Sequence, residues 1–166
     1  MDRSRISKAA LLAFLAAGVA GALVFAIYYN EAFREASIDF RMTRGEALAA
    51  SRALVEAQGL DLAGYREVVV FGDEREAIDF LERNLGLARA NRLFRDTVPV
   101  WRWKTRWFKE LEQSEYSVQF AADGRLAYFQ RVVPEKAAGA SLDEAAARAI
   151  AIDFVQRVAG VDLAKY

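Results

Sequence analysis

Val98-Pro99-Val100-Trp101-Arg102-Trp103-Lys104-Thr105-Arg106-Trp107-Phe108 is the stretch that decides the fold. Within it Trp101, Trp103, Thr105 and Trp107 alternate with Arg102, Lys104 and Arg106. Successive side chains of a strand point to opposite sides, so this period of two predicts a strand with one aromatic and one basic face. Tyr116, Val118 and Phe120 repeat the alternation, and Ala121-Ala122-Asp123-Gly124 supplies a hairpin turn whose glycine can take a positive φ. Leu126, Tyr128, Gln130 and Val132 return as the partner strand. A sheet with one greasy face needs helices to cover it.

Such helices flank the strands. Thr43-Arg44-Gly45-Glu46 reads as a capping box, followed by Ala47, Leu48, Ser51, Leu54, Val55 and Gln58 at helical spacing and by Gly59 as a stop. Tyr65 to Phe71 is β-branched and bounded by glycines, hence a further strand. Asp73-Glu74-Arg75-Glu76 reads as a second capping box, opening a helix with Ala77, Phe80, Leu81 and Leu85 on one face. Gly86 breaks that helix, and Leu87 to Phe94 resumes as a short one. Ser141-Leu142-Asp143-Glu144 reads as a third box, before a helix to about Ala159 with a stripe of Ala147, Ile150, Ala151, Phe154 and Val158.

The front of the chain is of another kind. From Ala9 to Tyr29 there is no charged residue and no proline, and Arg3, Arg5 and Lys8 precede the run. About 20 apolar residues at ~1.5 Å each span a hydrocarbon core of ~30 Å. The reading is a basic tail (1–8), a transmembrane helix (9–29), a juxtamembrane connector (30–42) and an α+β domain (43–166). The positive-inside rule keeps the basic tail in the cytoplasm and puts the domain outside, which is the periplasm if the cell is a Gram-negative bacterium. A cleaved signal peptide ending at Ala20-Gly21-Ala22 is the competing reading. It would leave Leu23 to Tyr29 as an exposed apolar end, whereas Tyr28 and Tyr29 suit the interfacial belt of an uncleaved anchor.

Composition excludes several classes. The chain has 166 residues, with 23 basic and 23 acidic side chains, no cysteine and no histidine. With Asp2, Arg3, Arg5 and Lys8 set aside, the rest is slightly acidic, which argues against nucleic acid as a partner. Thiol chemistry and disulfides are ruled out, as are the commonest metal ligand and general base. Nucleophile elbows, phosphate loops and zinc spacings are lacking, so no catalytic residue, metal or cofactor is expected. Glu110, Glu112 and Glu115 read as a solvated loop, and Asp73, Glu74 and Glu76 as the acidic start of a helix.

Two stretches echo each other. Thr43-x-x-Glu46, an alanine-rich helix and Gly59-Leu60-Asp61-Leu62-Ala63-Gly64-Tyr65 match Ser141-x-x-Glu144, a helix expected to be about a turn longer, and Gly160-Val161-Asp162-Leu163-Ala164-Lys165-Tyr166. The shared tail favours a duplication. Tyr65 opens a strand, so Tyr166 would open one too, and a longer parent protein is expected.

The capped helix, turn and strand of Glu46 to Phe71, with the hairpin and helix of Tyr116 to Val158, resemble the PepSY-like family. That resemblance implies a small α+β module outside the bacterial membrane that binds or inhibits peptidases. The whole order, from basic tail and membrane helix through helix-strand-helix to the Trp-rich strand and Asp-Gly hairpin, resembles the region ahead of the core in bacterial CPBP-family, CAAX-protease-like intramembrane metalloproteases. That family's core needs an EExxxR segment and histidines on later membrane helices. This chain has neither, so no catalytic residue carries over.

The fold class expected is therefore α+β: one N-terminal transmembrane helix, then a PepSY-like domain with three or four antiparallel strands packed on helices. The function expected is a membrane-tethered, non-catalytic module, the regulatory or substrate-presenting part of a CPBP-type protease. The alternative is a stand-alone interaction protein of the bacterial envelope. The candidate surface for a peptide or lipid is Trp101, Arg102, Trp103, Lys104, Arg106 and Trp107, weighed against a plain core role for the three indoles. The partners expected are the membrane and a peptide segment or membrane-protease core.

Overall fold

The computed structural model describes residues 7–139 and 141–163. It is an α+β protein with one long N-terminal apolar helix and a four-stranded antiparallel sheet. In chain order the elements are α1 (Lys8–Ala32), a 3₁₀ turn (Arg34–Ser37), α2 (Arg44–Ala57), β1 (Arg66–Asp73), α3 (Arg75–Leu85), α4 (Leu87–Asp96), β2 (Trp101–Phe108), β3 (Glu115–Ala121), β4 (Leu126–Val132) and α5 (Glu144–Arg157). The strands lie in sequence order, so β1 and β4 are the two edges.

α1 is 25 residues, about 37 Å at the α-helical rise. None of its side chains is buried, and it is apolar on every side, which fits a helix whose solvent is hydrocarbon. It is the one helix among the described residues long and apolar enough to cross a membrane.

α2 covers one face of the sheet. Its capping box forms as read: the Thr43 hydroxyl accepts from the Glu46 N–H at 3.3 Å, and the Glu46 carboxylate accepts from the Thr43 N–H at 2.8 Å. Gly59, at φ 71°, ends the helix. Ala47, Ser51 and Val55 face the sheet, where Val55 joins Leu62, Trp107, Tyr116 and Val118 in the main core. At the centre of that contact the buried Ser51 hydroxyl donates to Thr105 Oγ1 at 3.2 Å, so two polar groups satisfy each other inside an apolar layer. A second cluster of Ile78, Ala90, Phe94 and Val100 joins α3 and α4 to the start of β2, with Trp101 packed against it.

Four sequence expectations change. First, Asp73 does not cap α3: it stays in the ladder opposite Trp101, and Glu74 takes the cap position without a side-chain cap bond. The Glu74 carboxylate instead reaches the Lys104 ammonium at 2.8 Å. Second, Phe80 is 66% exposed, because α3 packs through Ala77, Ile78 and Leu81 and Phe80 points the other way. Third, the β3–β4 register shifts between Gln119 and Phe120, where Phe120 pairs with Leu126 and Gln119 with Tyr128. The extra residue, Ala127, flips the alternation, so Phe129 rather than Tyr128 joins the core. Fourth, Asp143, not Ser141, caps α5, accepting from the Ala146 N–H at 2.8 Å. α2 and α5 are then both 14 residues, without the extra turn.

α5 is lightly held. None of its residues is buried, Ile150 is exposed, and a Phe129–Phe154 ring contact at 5.5 Å joins it to the sheet. A helix with so little packing depends on its cap. Asp143→Ala is expected to cost about 1 kcal/mol of local helix stability, read as faster amide exchange across α5. Ser141→Ala is expected to leave that exchange unchanged.

Candidate functional site

The alternation of β2 places the six residues singled out in the sequence on opposite faces. Trp101, Trp103 and Trp107 lie on the side that α2 covers, and every indole N–H is used within the chain. Trp107, only 1% exposed, donates to Glu67 Oε2 at 3.2 Å. Trp101 donates to Ser37 Oγ at 2.7 Å, and Trp103 to the Met42 carbonyl at 2.9 Å. Both of these partners belong to the connector after α1. Two of the three indoles therefore grip the chain's own neck.

Arg102, Lys104 and Arg106 stand on the other face with Val68 and Val70 of β1, Ser117 and Gln119 of β3, and Tyr128 and Gln130 of β4. Val68 is 44% and Val70 50% exposed, and α2 contributes nothing to this side. The cations are already tied down. Lys104 Nζ donates to the Asp73 carbonyl at 2.9 Å as well as pairing with Glu74. Arg102 donates to the Pro99 carbonyl at 2.6 Å and to Gln119 Oε1 at 3.2 Å. Arg106 grips both Glu115 oxygens at 2.6 Å. This face is thus an apolar edge beside a row of three cations, each engaged by a carboxylate: Glu74 is shared between Lys104 and Arg102, and Glu115 holds Arg106.

The Arg106 guanidinium beside Glu115 holds that carboxyl below the ordinary glutamate range, against the opposing effect of partial burial. A lowered carboxylate pKa contributes stability that is whole above the unfolded-state value and is lost as pH falls through the folded one. The urea midpoint of the head is expected to drop as pH passes below the ordinary glutamate range. Glu115→Gln is expected to flatten that part of the profile.

A third feature is the seam between α1 and the α3–α4 hairpin. The Asn91 side chain, 3% exposed, donates through Nδ2 to the Asn30 and Phe33 carbonyls, both at 2.9 Å. Those carbonyls belong to the end of α1, where helical partners run out. Arg95 Nη2 donates to the Ala36 carbonyl at 2.8 Å, and Arg34 pairs with Glu82 at 2.8 Å. Further along, the Arg41 and Met42 N–H groups both donate to the Ala122 carbonyl of the β3–β4 turn, at 2.9 and 3.0 Å. The connector is pinned along its length. Sequence reasoning passed over Asn91; the signal was an asparagine between Ala90 and Phe94, on the side of α4 that is otherwise apolar.

No family model, curated protein or solved structure matches this chain. Chemistry must therefore be read from the residues. Among the described residues no three acidic side chains gather as metal ligands. Of the three acids read as a solvated loop, Glu110 lies there and pairs with Arg66, whereas Glu115 is the first residue of β3 and pairs with Arg106. The arrangement offers two sheet faces and a hydrogen-bonded joint between α1 and α4.

Proposed function

We propose that this chain is a membrane-tethered, non-catalytic, PepSY-like module that holds an extended polypeptide segment on its open sheet face, beside the bilayer. α1 is the anchor, crossing the inner membrane with the Lys8 end in the cytoplasm and the head outside. The segment it holds belongs to, or is delivered to, an intramembrane protease core of the CPBP type. The order of helices and strands and the Trp-rich strand support that choice of partner, as does a head without histidine or cysteine.

The observation that carries the reading is an eight-residue edge strand, β1, that itself carries two half-exposed valines, Val68 and Val70. β1 pairs with β2 alone among the described strands, so one side of its backbone is open. An exposed apolar edge without proline is a template for another strand. An added segment would take main-chain hydrogen bonds from β1 and lay alternate side chains over Val68 and Val70. Tethering raises the effective concentration of such a segment at the membrane surface, so modest affinity suffices.

The test is an array of unstructured peptides probed with the full chain in detergent or nanodiscs. Binders are expected to slow amide exchange in β1. Val68→Lys/Val70→Lys is expected to weaken them at least ten-fold, since covering two half-exposed valines is worth about 2 kcal/mol. Binding that ignores this double variant, or that protects β4 instead, would overturn the β1 site.

A further inference from the structure

At the joint between α1 and α4 lies a recess of about 160 Å³, lined by Asn30, Glu31, Ala88, Asn91, Arg92 and Arg95. Its position follows from the sequence. The uncharged run from Ala9 to Tyr29 fills the hydrocarbon thickness, so Asn30 and Glu31 are the first polar residues beyond it. Tyr29 and Phe33 stack at 5.3 Å, and Phe25 meets both, forming an aromatic belt just below. On the reading of α1 as the anchor, the recess opens at the level of the lipid headgroups.

Its two charged walls differ in sign. On the α4 side, Arg92 has no hydrogen-bond or ion-pair partner among the described residues, and Arg95 spends one N–H on Ala36. A guanidinium carries five donors in a planar fork suited to phosphate oxygens. On the α1 side, Glu31 lies in the last helical turn, which holds no basic residue. An acid at the negative end of a helix dipole is misplaced unless a cation joins it. Glu31 too lacks a partner among the described residues. The neighbouring Asn91 is fixed with Nδ2 toward two carbonyls, and its buried Oδ1 meets no donor. The joint therefore holds acceptors without donors, Glu31 on α1 and Asn91 Oδ1 on α4, beside the surplus donors of Arg92 and Arg95.

We propose that this recess binds the headgroup of a phosphatidylethanolamine-type lipid, with the phosphodiester on Arg92 and Arg95 and the primary ammonium on Glu31 at the end of α1. The ammonium brings the N–H donors that the α1 wall lacks, and the phosphate takes those that the α4 wall offers. A quaternary ammonium has no N–H to give, and a glycerol headgroup has no positive charge. The lipid would sit across the seam and couple the tilt of the anchor to the head.

The experiment uses the full chain. Flotation with vesicles, resistant to salt and alkali, comes first and tests the anchor itself. Native mass spectrometry then counts lipids retained from mixed phosphatidylethanolamine, phosphatidylcholine and phosphatidylglycerol. Retention of the ethanolamine lipid is expected to exceed the other two about ten-fold or more. Arg92→Gln is expected to abolish retention, and Glu31→Gln to erase the preference over phosphatidylglycerol; both sites are on the surface, and an unchanged melting curve of the head confirms folding. Equal retention of the three lipids, or variants that behave as the parent, would overturn the site while leaving the anchor standing. Failure to float would overturn the anchor. Displacement by stoichiometric soluble phosphoethanolamine would overturn the lipid as the source of the headgroup.

Discussion

Trp107→Ala is expected to remove about 3–5 kcal/mol from the stability of the head, the range for deleting a buried aromatic. Trp107 is the largest fully buried side chain, in one cluster with Val55, Leu62, Tyr116 and Val118, so its loss opens a cavity where α2 meets the sheet. The same change strips Glu67 of an indole donor, though Arg52 still pairs with that carboxylate. Domains of this size have about 5–15 kcal/mol in hand, so the variant should be folded marginally or not at all. Urea titration in detergent checks this, with Trp101 and Trp103 left as fluorescent reporters. Trp103→Ala is expected to cost less, because its ring is half-buried and lies against Phe71, outside that cluster. If the two variants ranked the other way, Trp107 would not be the centre of the core, and its part in a ligand surface would have to be reconsidered.

The two-faced strand was legible because period two survives in any antiparallel ladder. Thr105, Trp107, Tyr116 and Val118 all fall on the covered side as their spacing requires. β4 was less legible, because a bulge is a tertiary event: the single unpaired Ala127 reverses which of Tyr128 and Phe129 turns inward. The three capping boxes share one sequence signature and met three fates. Thr43 precedes its helix with nothing else to bond, and the box closes. Asp73 is held in β1 by its pairing with Trp101, and at α5 Asp143 is nearer the first turn than Ser141. Local chemistry proposed the caps, and strand pairing and helix start chose among them. The charge on the open face was visible in Arg102, Lys104 and Arg106, but not its pairing, since Glu74 and Glu115 come from other elements. The neck was hardest to see. Residues 30–42 have no periodicity, and their order comes from Asn91, Arg95, Trp101 and Trp103, some 60 positions away.

Phe94→Ala is expected to be the second large effect, about 3–5 kcal/mol, and to be local rather than global. Phe94 is 3% exposed among Ile78, Ala90 and Val100, the small cluster that fixes α3 and α4 to the start of β2. The α2–sheet core shares none of these buried residues, so it should survive. Amide exchange is expected to rise steeply across residues 75–96 and much less across β2 and β3. The neck should loosen with it, because α4 carries both Asn91 and Arg95, which hold the Asn30, Phe33 and Ala36 carbonyls. Asn91→Leu separates the two effects. It keeps a side chain in the seam but strips two carbonyls of their donor, for about 1–3 kcal/mol, and should free the neck while the hairpin stays packed. A uniform rise in exchange for Phe94→Ala would instead mean that head and joint unfold as one unit. The distinction bears on function. A head with a separately meltable joint can turn on its anchor without losing the sheet that presents β1, whereas a single cooperative unit holds β1 at one fixed angle to the anchor.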